Sequence, residues 1–343
     1  MNNKNYRKKK KVQSTLDRLA GFLIATGFAV GILGLGIVYV ATKGPSDALK
    51  DTFCRTFVET RRFGFIPHIF LTDEEVEQFV NYETGRYSAA GTATDETKVT
   101  IDTETVDPNG TDKYGLQYKD GINYSEIRYK GSTFYMITIQ DPKRVFVGMP
   151  EAYGGYGLVL EDMVNKYGAL GGINAGAFLD YGGGGTGGDP AGVTIVDGVC
   201  YNQESTGSVG GLDSEGRLYV GYYSYEECVA LGLKDVVSFN PVLIINGVEV
   251  GEDSLEGGVN PRTAIGQRDD GYMVMVCVDG RQAYSIGVSQ KDVADFMLSY
   301  GVVNAINMDG GSSTCMYYNG ELANHPSGAA GGTRYLPTAW LYK

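Results

Sequence analysis

Only two histidines, His68 and His325, occur in this sequence of 343 residues, and their scarcity excludes several common catalytic sites. An HExxH zinc site needs two histidines four residues apart, and no such pair is present. A Ser-His-Asp triad has little histidine to draw on, and the GxSxG turn of many serine hydrolases is absent. The GxxxxGK[ST] phosphate loop is absent too, because the glycine run at residues 182–188 lacks its lysine. We interpret His68, which lies in an apolar connection, as structural.

Cysteine and, outside the N-terminus, positive charge are also scarce. The five cysteines are scattered and show no CxxC spacing, so we predict small buried residues instead of a disulfide framework. Residues 1–18 hold seven Lys or Arg and one acidic residue, whereas the whole chain has a net charge of −12. The acidic body argues against nucleic-acid binding. It also requires a local basic cluster wherever an anionic substrate binds.

Residues 19–41 form an uninterrupted run of 23 uncharged residues. As a helix, the run is about 34 Å long, which is enough to cross a bilayer. Five basic residues at positions 7–11 precede it, so the positive-inside rule predicts a cytoplasmic N-terminus and an extracellular remainder. A cleaved signal peptide is the competing interpretation, but the run is long for one and no small-x-small site closes it. We therefore predict a basic cytoplasmic tail at residues 1–18 and one transmembrane helix at residues 19–42 in the cell membrane.

Residues 43–88 are predicted to form a helical stalk. Leu49, Phe53 and Phe57 have helical spacing, and the sequence TDEE at residues 72–75 has the pattern of a capping box that starts a second helix. These helices could pair between protomers, lie against the membrane or contact the main domain. A homo-oligomer through the stalk is therefore left open.

Residues 89–343 form the main domain, in which short strands outnumber helices. Fifty glycines and 25 tyrosines favour tight turns and strands over a helical bundle. The patterns predict strands at residues 122–129, 133–139, 171–178, 241–250 (a pair turned at Asn246-Gly247), 272–278 and 302–308, and helices at residues 158–167, 224–233 and from Ser289 to Tyr300. This alternation predicts an α+β fold with a mixed central β-sheet and a few short helices.

Four segments place polar or charged side chains beside apolar strand residues and small neighbours. They are GGINAGAF (171–178), NPRTAIG (260–266), VDGR (278–281) and NAINMDGGSST (304–314). Taken singly, each is a turn more often than a site, since Asp-Gly and Gly-Gly are turn dipeptides. Arg262 lies within a short apolar stretch, so its charge requires a partner or an anionic ligand. Asp309 follows an apolar strand and precedes two glycines, which predicts a position at a strand end.

In this order, and with the closing stretch Asn319-Gly320, Asn324-His325-Pro326-Ser327 and Arg334, the four segments resemble the phosphodiester glycosidase family. That family includes the N-acetylglucosamine-1-phosphodiester "uncovering enzyme" and bacterial proteins associated with exopolysaccharide. The resemblance covers residues 170–343 well and residues 89–170 loosely. It implies hydrolysis of a sugar-1-phosphodiester at the anomeric carbon, which releases the sugar, N-acetylglucosamine in the best-known case, and leaves a phosphomonoester.

The chemistry of that reaction assigns roles to the residues of the four segments. A departing phosphate requires cations, and an oxocarbenium-like carbon requires a carboxylate nearby. We predict catalytic roles for Asp309, as nucleophile or stabiliser, and for Asp279, as general base or ion partner of an arginine. The predicted substrate-binding residues are Arg262, Arg334 and Arg281 for phosphate, Asn174 and Asn307 for the sugar, and Gly310, Gly311 and Ser312 for backbone donors and space.

Two other interpretations and one cofactor remain open at this stage. The domain could bind phosphorylated glycan or cell-wall polymer without cleaving it, as an exopolysaccharide assembly protein, or it could be a structural surface protein. Two nearby carboxylates favour the enzyme, because a pure anion binder gains nothing from them. Residues 107–112 resemble a calcium loop with a misplaced glycine, so calcium is left open and no cofactor is assigned with certainty.

Overall fold

A computed structural model of the chain describes residues 3–58, 63–79, 93–102, 106–179, 185–205, 207–250, 255, 258–328 and 332–343, with side chains from residue 17 onward. The chain divides into two compact units, Met1–Val80 and Asn81–Lys343. The boundary predicted at residue 88 lies outside the described residues and stays a prediction. The two units are described separately below.

The N-terminal unit is helical. Its helices are α1 (Asn3–Lys43), α2 (Asp47–Val58) and α3 (Asp73–Glu77), with a 3-10 turn at Pro67–Ile69. Within α1, Asp17–Lys43 is long and apolar enough to cross a membrane, with a mean hydropathy of 2.2, a test that a signal sequence also meets. The capping box is confirmed, because Thr72 and Glu75 each accept a hydrogen bond from the other's backbone N–H. Cys54, Leu71 and Val76 form the small core of this unit.

The C-terminal unit is built from three sheets in which every recorded pair of strands is antiparallel. The first sheet has the order β1-β2-β13-β12-β14-β10-β11. Its strands are β1 (Ile122–Tyr129), β2 (Ser132–Ile139), β10 (Val242–Ile245), β11 (Val248–Glu249), β12 (Arg262–Arg268), β13 (Met273–Val278) and β14 (Val302–Met308). The central strands are almost wholly buried, which explains why they read as continuous apolar runs in the sequence.

The other two sheets have five strands each. The second has the order β16-β15-β4-β17-β3, and the third has the order β6-β5-β9-β7-β8. The second contains β3 (Val145–Gly148), β4 (Gly171–Asn174), β15 (Met316–Tyr318), β16 (Glu321–Leu322) and β17 (Ala339–Tyr342). The third contains β5 (Thr194–Val196), β6 (Val199–Asn202), β7 (Val209–Leu212), β8 (Leu218–Gly221) and β9 (Asp235–Ser238). Side chains from all three sheets meet in one core, which includes Ile137, Trp340 and Val237.

The described residues of the unit also contain three short α-helices: α4 (Leu160–Tyr167), α5 (Tyr225–Ala230) and α6 (Gln290–Ser299). Helix α6 begins after Ser289 and ends near Tyr300, as the sequence predicts; Ser289 and Asp292 form a capping box at its start, and Gly301 follows it at φ +77°. It covers one face of the first sheet, where Phe296 packs against Phe134 at a ring-centroid distance of 4.4 Å. The α+β class is therefore confirmed.

The arrangement of the strands differs in detail from a mixed central sheet. Most strands of the first sheet were predicted at nearly the observed positions, including the turn at Asn246-Gly247, whereas the strand predicted at residues 171–178 ends at Asn174 and most strands of the other two sheets were not predicted. A strand's sequence does not say whether its neighbour runs parallel or antiparallel to it, because burial on both faces produces the same apolar run in either case. The division of the strands into three sheets could not be predicted from the apolar pattern for the same reason.

Candidate active site

The carboxylates Asp279 and Asp309 lie at one edge of the first sheet. Asp279 directly follows β13 and Asp309 directly follows β14, and both strands pair antiparallel with β12, which lies between them. Their C-terminal ends therefore meet at the edge where β12 begins. With two strand spacings between them, the two backbones lie roughly 10 Å apart at this edge. The sequence correctly predicted a strand end for Asp309.

Asp279 is 1% exposed, and four hydrogen bonds reach its carboxylate. Oδ1 accepts from Asn324 Nδ2 at 3.2 Å and from the backbone N–H of His325 at 2.9 Å. Oδ2 accepts from Tyr135 Oη at 2.9 Å and lies 3.2 Å from His325 Nδ1. The ion-pair partner of this carboxylate among the described residues is therefore His325, whose ring is charged only when it is protonated. Burial first, and then the nearby charge of Asp279, raise the pKa of Tyr135 and keep its phenol protonated as a donor.

His325 and Tyr284 are two residues of this site that the sequence analysis did not assign. The His325 side chain is 66% exposed, so its ring joins a buried carboxylate to solvent. With the proton on Nδ1 directed at Asp279, Nε2 is the nitrogen available for proton transfer. Tyr284 packs edge-on against this ring at 6.0 Å and is itself 53% exposed. The sequence did contain an indication of this site, because His325 lies in the closing stretch NHPS that contributes to the family resemblance. No catalytic role was predicted for it.

Asn174 holds the end of β14 in place from behind. It is fully buried, and its Nδ2 donates to the backbone carbonyl of Asp309 at 2.6 Å. Its Oδ1 accepts from Thr263 Oγ1 at 2.9 Å and from the backbone N–H of Cys315 at 3.1 Å. The side-chain amide thus ties together β4, β12 and the chain on both sides of the DGG turn. A direct bond to a sugar stays a prediction, whereas the observed bonds fix the backbone of Asp309.

The DGG turn packs tightly against the start of β12. A Cβ at Gly310 would come within 2.8 Å of the Pro261 carbonyl, so a side chain is excluded there. Gly311 has φ +60° and donates its N–H to the same carbonyl at 2.9 Å. Ser312, partly exposed, lies in the 3-10 turn Gly311–Ser313 that follows. The space for substrate that the sequence predicted beside these glycines is thus occupied, on one face of the turn, by the Pro261 carbonyl.

Arg281 is the arginine that reaches this turn. A Cβ at Gly311 would lie 3.3 Å from Arg281 Nη2, so the guanidinium lies directly against the glycine. Nη2 also donates to Asn260 Oδ1 at 2.9 Å. The residue is exposed and has φ +60°, an unusual conformation for a residue with a side chain, within a tight hairpin whose ends meet at Arg281 and Ile286. A cation is therefore held two residues from Asp309.

Arg262 and Arg334 occupy different surroundings. Arg262 is 5% exposed, and its guanidinium donates to the backbone carbonyls of Val288, at 3.2 Å, and of Gly258. Arg334 lies over the ring of Phe178, with Cζ 4.9 Å from the ring centroid, and is partly exposed. Phosphate binding by either residue stays a prediction. Arg334 is the more exposed of the two, and two donors of Arg262 bind protein.

Asn307 lies on β14 two residues before Asp309 and is 2% exposed. Its Nδ2 donates to the backbone carbonyl of Asn240 at 2.9 Å. Its Oδ1 is buried without a hydrogen-bond partner among the described residues. The predicted sugar contact stays a prediction, and the bond to Asn240 gives the side chain a role in joining β14 to the turn before β10.

No group of three or more His, Cys, Asp or Glu side chains that could hold a metal ion occurs among the described residues. In the loop that resembles a calcium site, Asp107 Oδ1 accepts from the backbone of Asn109 at 2.9 Å, and Asn109 Oδ1 accepts from the backbone of Asp120 at 3.1 Å. These oxygens stabilise turns. The calcium prediction is untested.

Comparisons with known proteins show which family the chain resembles. The family model described as phosphodiester glycosidase matches residues 167–343. The N-acetylglucosamine-1-phosphodiester alpha-N-acetylglucosaminidase of Bos taurus is 35% identical over 135 residues, which are 34% of this chain and 25% of the bovine protein. The Homo sapiens enzyme is 35% identical over 154 residues, which are 38% of this chain and 30% of the human protein. The matched region thus spans less than a third of either curated relative.

A solved structure has the same fold. The zebrafish N-acetylglucosamine-1-phosphodiester alpha-N-acetylglucosaminidase catalytic domain, auto-inhibited by its pro-peptide, superposes with a TM-score of 0.59 at 23% identity. The superposition covers 75% of this chain and 92% of the zebrafish chain. All four segments that carry the resemblance, and every residue of the site edge except Tyr135, lie inside the part of the sequence matched by the family model. This chain belongs to the phosphodiester glycosidase family.

Proposed function

We propose that the chain is a membrane-anchored, extracytoplasmic hydrolase that cleaves a sugar-1-phosphodiester at its anomeric carbon. The observation that carries the proposal is the meeting of Asp309, Arg281 and the Asp279–His325 pair at one sheet edge. An anion binder needs the cation but gains nothing from the carboxylates. The substrate class follows from the family, and N-acetylglucosamine is the sugar named in its relatives.

In the proposed reaction the bond between the anomeric carbon and the phosphate oxygen breaks. The phosphate leaves with the electron pair, and a new carbon–oxygen bond forms, finally to the oxygen of water. Asp309 stabilises the oxocarbenium-like carbon or attacks it directly. Arg281, with Arg334 in addition, binds the departing phosphate and neutralises the charge that develops on it. Neither arginine needs to transfer a proton, because a phosphomonoester is a good leaving group.

The proton transfers belong to His325. With the ring proton on Nδ1, which lies 3.2 Å from Asp279 Oδ2 and 3.1 Å from Tyr135 Oη, the ring is held in place and Nε2 can give a proton to the leaving phosphate or take one from the attacking water. This arrangement supports a third role for Asp279, beside the two predicted from the sequence, in which it orients a histidine. Because its four acceptor positions are all used, Asp279 acts through the ring and not on substrate.

The anchor part of the proposal rests on α1. Its segment Asp17–Lys43 is apolar and fully exposed in its most apolar window, as a helix surrounded by lipid would be. The five basic residues at positions 7–11 favour a cytoplasmic N-terminus. The active domain would then meet phosphorylated glycans or wall polymers outside the membrane. A role in cell-surface or exopolysaccharide metabolism fits that location. Resistance of the intact chain to alkaline extraction from membranes distinguishes an anchor from a cleaved signal.

The test of the reaction uses the full-length protein in nanodiscs with an N-acetylglucosamine-1-phosphodiester, followed by phosphorus NMR. We expect a phosphomonoester signal and free sugar, both lost in Asp309→Asn. Asp162→Asn, an exposed aspartate on α4, is the matched control and should keep full turnover. Full hydrolysis by Asp309→Asn would remove the central role. No turnover by the wild type, together with tight binding of purified teichoic acid, would favour a phosphorylated-polymer binder.

A further inference from the structure

An apolar loop follows the second helix of the N-terminal unit. Residues 63–70, with the sequence FGFIPHIF, contain six large apolar or proline residues, one glycine and one histidine. We call this segment the apolar loop. It includes the 3-10 turn Pro67–Ile69 and leads into the capping box of α3. The site described above makes no use of it.

Two contacts place the apolar loop beside the outer end of α1. The ring of Phe70 packs edge-on against Tyr39, which lies in the last turns of the apolar helix, at a centroid distance of 5.5 Å. Just beyond, Lys43 Nζ forms an ion pair with Glu75 Oε1 at 2.9 Å. Thr42 of α1 is completely buried. The loop is therefore level with the point where the apolar helix ends and charged side chains begin.

The apolar loop turns only part of its surface inward. Leu71 and Val76, which follow it, enter the small core with Cys54. In contrast, Phe63 is 47% exposed, Phe65 is 63% exposed and Ile69 is 43% exposed. Three large apolar side chains close together in sequence are thus left in contact with solvent, at a cost that a soluble unit of this size would normally avoid by burying them.

We propose that the exposed side chains of the apolar loop insert into the interfacial layer of the same bilayer that α1 crosses. The inference rests on the proposed anchor, because the loop's level is defined by the end of that helix. Apolar and aromatic side chains are stabilised at the boundary between headgroups and acyl chains, where ordered backbone can lie in the plane of the membrane. The charged pair Lys43–Glu75 then lies on the water side of the loop. The unit would lie flush against the membrane surface instead of standing away from it as a stalk.

Quenching of tryptophan fluorescence by brominated lipid tests whether the apolar loop contacts the bilayer. Phe65→Trp places an indole at the most exposed position of the loop, and the native Trp340 is fully buried in the C-terminal unit, so the wild type supplies the baseline. Val229→Trp, at a residue 55% exposed on α5, is the matched control. Full-length proteins are reconstituted, one copy per disc, in nanodiscs of plain or brominated phospholipid. Phe63→Trp repeats the measurement in case the first variant folds poorly.

We expect the emission added by Phe65→Trp to fall in brominated lipid and to be shifted to the blue, with no change for Val229→Trp. Equal emission of Phe65→Trp in plain and brominated discs, in protein that resists alkaline extraction, would overturn the inference and leave the anchor intact. Protein that alkali extracts would refute the anchor instead. The same variant is also reconstituted in vesicles at low and high protein density. A blue shift that appears only at high density, without quenching by bromine, would assign the loop to a second copy of the chain and also overturn the inference.

Discussion

Asn174 offers a test of how this site is assembled. Replacement by alanine removes the donor to the Asp309 carbonyl and the acceptor that Thr263 and Cys315 share. All three bonds are inside the protein, since the side chain is completely buried. With a net contribution of about 1 kcal/mol for each, Asn174→Ala should lower the free energy of unfolding by about 3 kcal/mol. A domain with about 5–15 kcal/mol of stability remains folded after such a loss.

The activity should fall for a second reason. Without the bond from Asn174, the backbone at Asp309 keeps its own N–H bond to Ala175 but loses the one that holds its carbonyl. A displacement of the carboxylate by about 1 Å can lower the rate about 100-fold. If Asn174 acts only by positioning Asp309, this loss should appear in kcat, with KM little changed. Thr263→Val is the matched control, since it removes one of the three bonds, costs about 1 kcal/mol and leaves the bond to Asp309 intact.

The two quantities are measured on the same preparations. Urea unfolding is followed by the fluorescence of Trp340, the single tryptophan, and turnover by phosphorus NMR. The positioning role predicts that kcat falls far more in Asn174→Ala than in Thr263→Val. Equal turnover of the two variants would refute it. An increase in KM with kcat unchanged would instead support the direct contact with sugar that the sequence suggested.

Three further predictions concern other parts of the C-terminal unit. Burial tends to raise the pKa of Asp112, but hydrogen bonds from Arg268 and backbone N–H groups outweigh it and hold the pKa below its usual range. The stability that this carboxylate contributes is thus fully present above the unfolded pKa of about 3.9 and is lost as pH falls through the lower folded value. The urea midpoint of the wild type should therefore fall with acid, and that of Arg268→Met should fall less. His325→Ala should lower kcat by about 10²–10⁴-fold, and adding Asp279→Asn should change it little further, because the pair acts as one unit; additive losses would contradict this. Burial raises the pKa of Cys315 to about 12, so alkylation followed by mass spectrometry at pH 8 should label it only after unfolding.

The local structure of the site could be predicted from the sequence to a considerable extent. An apolar run that stops at Asp309 and is followed by two glycines predicts a strand and then a tight turn, and the structure has both. Asp279 follows its strand in the same way. The capping box at Ser289 and the Asn246-Gly247 turn depend on contacts within a few residues, which sequence patterns report directly.

The residues that the sequence could not place depend on contacts distant along the chain. His325 lies 46 positions from Asp279, and only the folded loop brings the two together. Arg262 is a cation in an apolar stretch, as expected of an anion site. Its guanidinium nevertheless donates to the backbone carbonyls of Val288 and Gly258, because β12 starts beside the chain at Val288. No sequence pattern records such a neighbour. Asn174 similarly required the register between β4 and β15, which sets the side of the sheet its amide faces.

The surroundings of the two carboxylates separate their roles. Three donors bind the buried carboxylate of Asp279, and His325 Nδ1 is a fourth when it carries the ring proton, so direct attack or proton uptake by Asp279 would break bonds already made. Asp309 is partly exposed at a strand end, next to a turn of two glycines and within reach of Arg281. A cleavage site of this kind needs one carboxylate at the reacting carbon and one proton carrier at the leaving oxygen. Asp309 fits the first position, and the solvent-facing ring of His325, held by Asp279, fits the second.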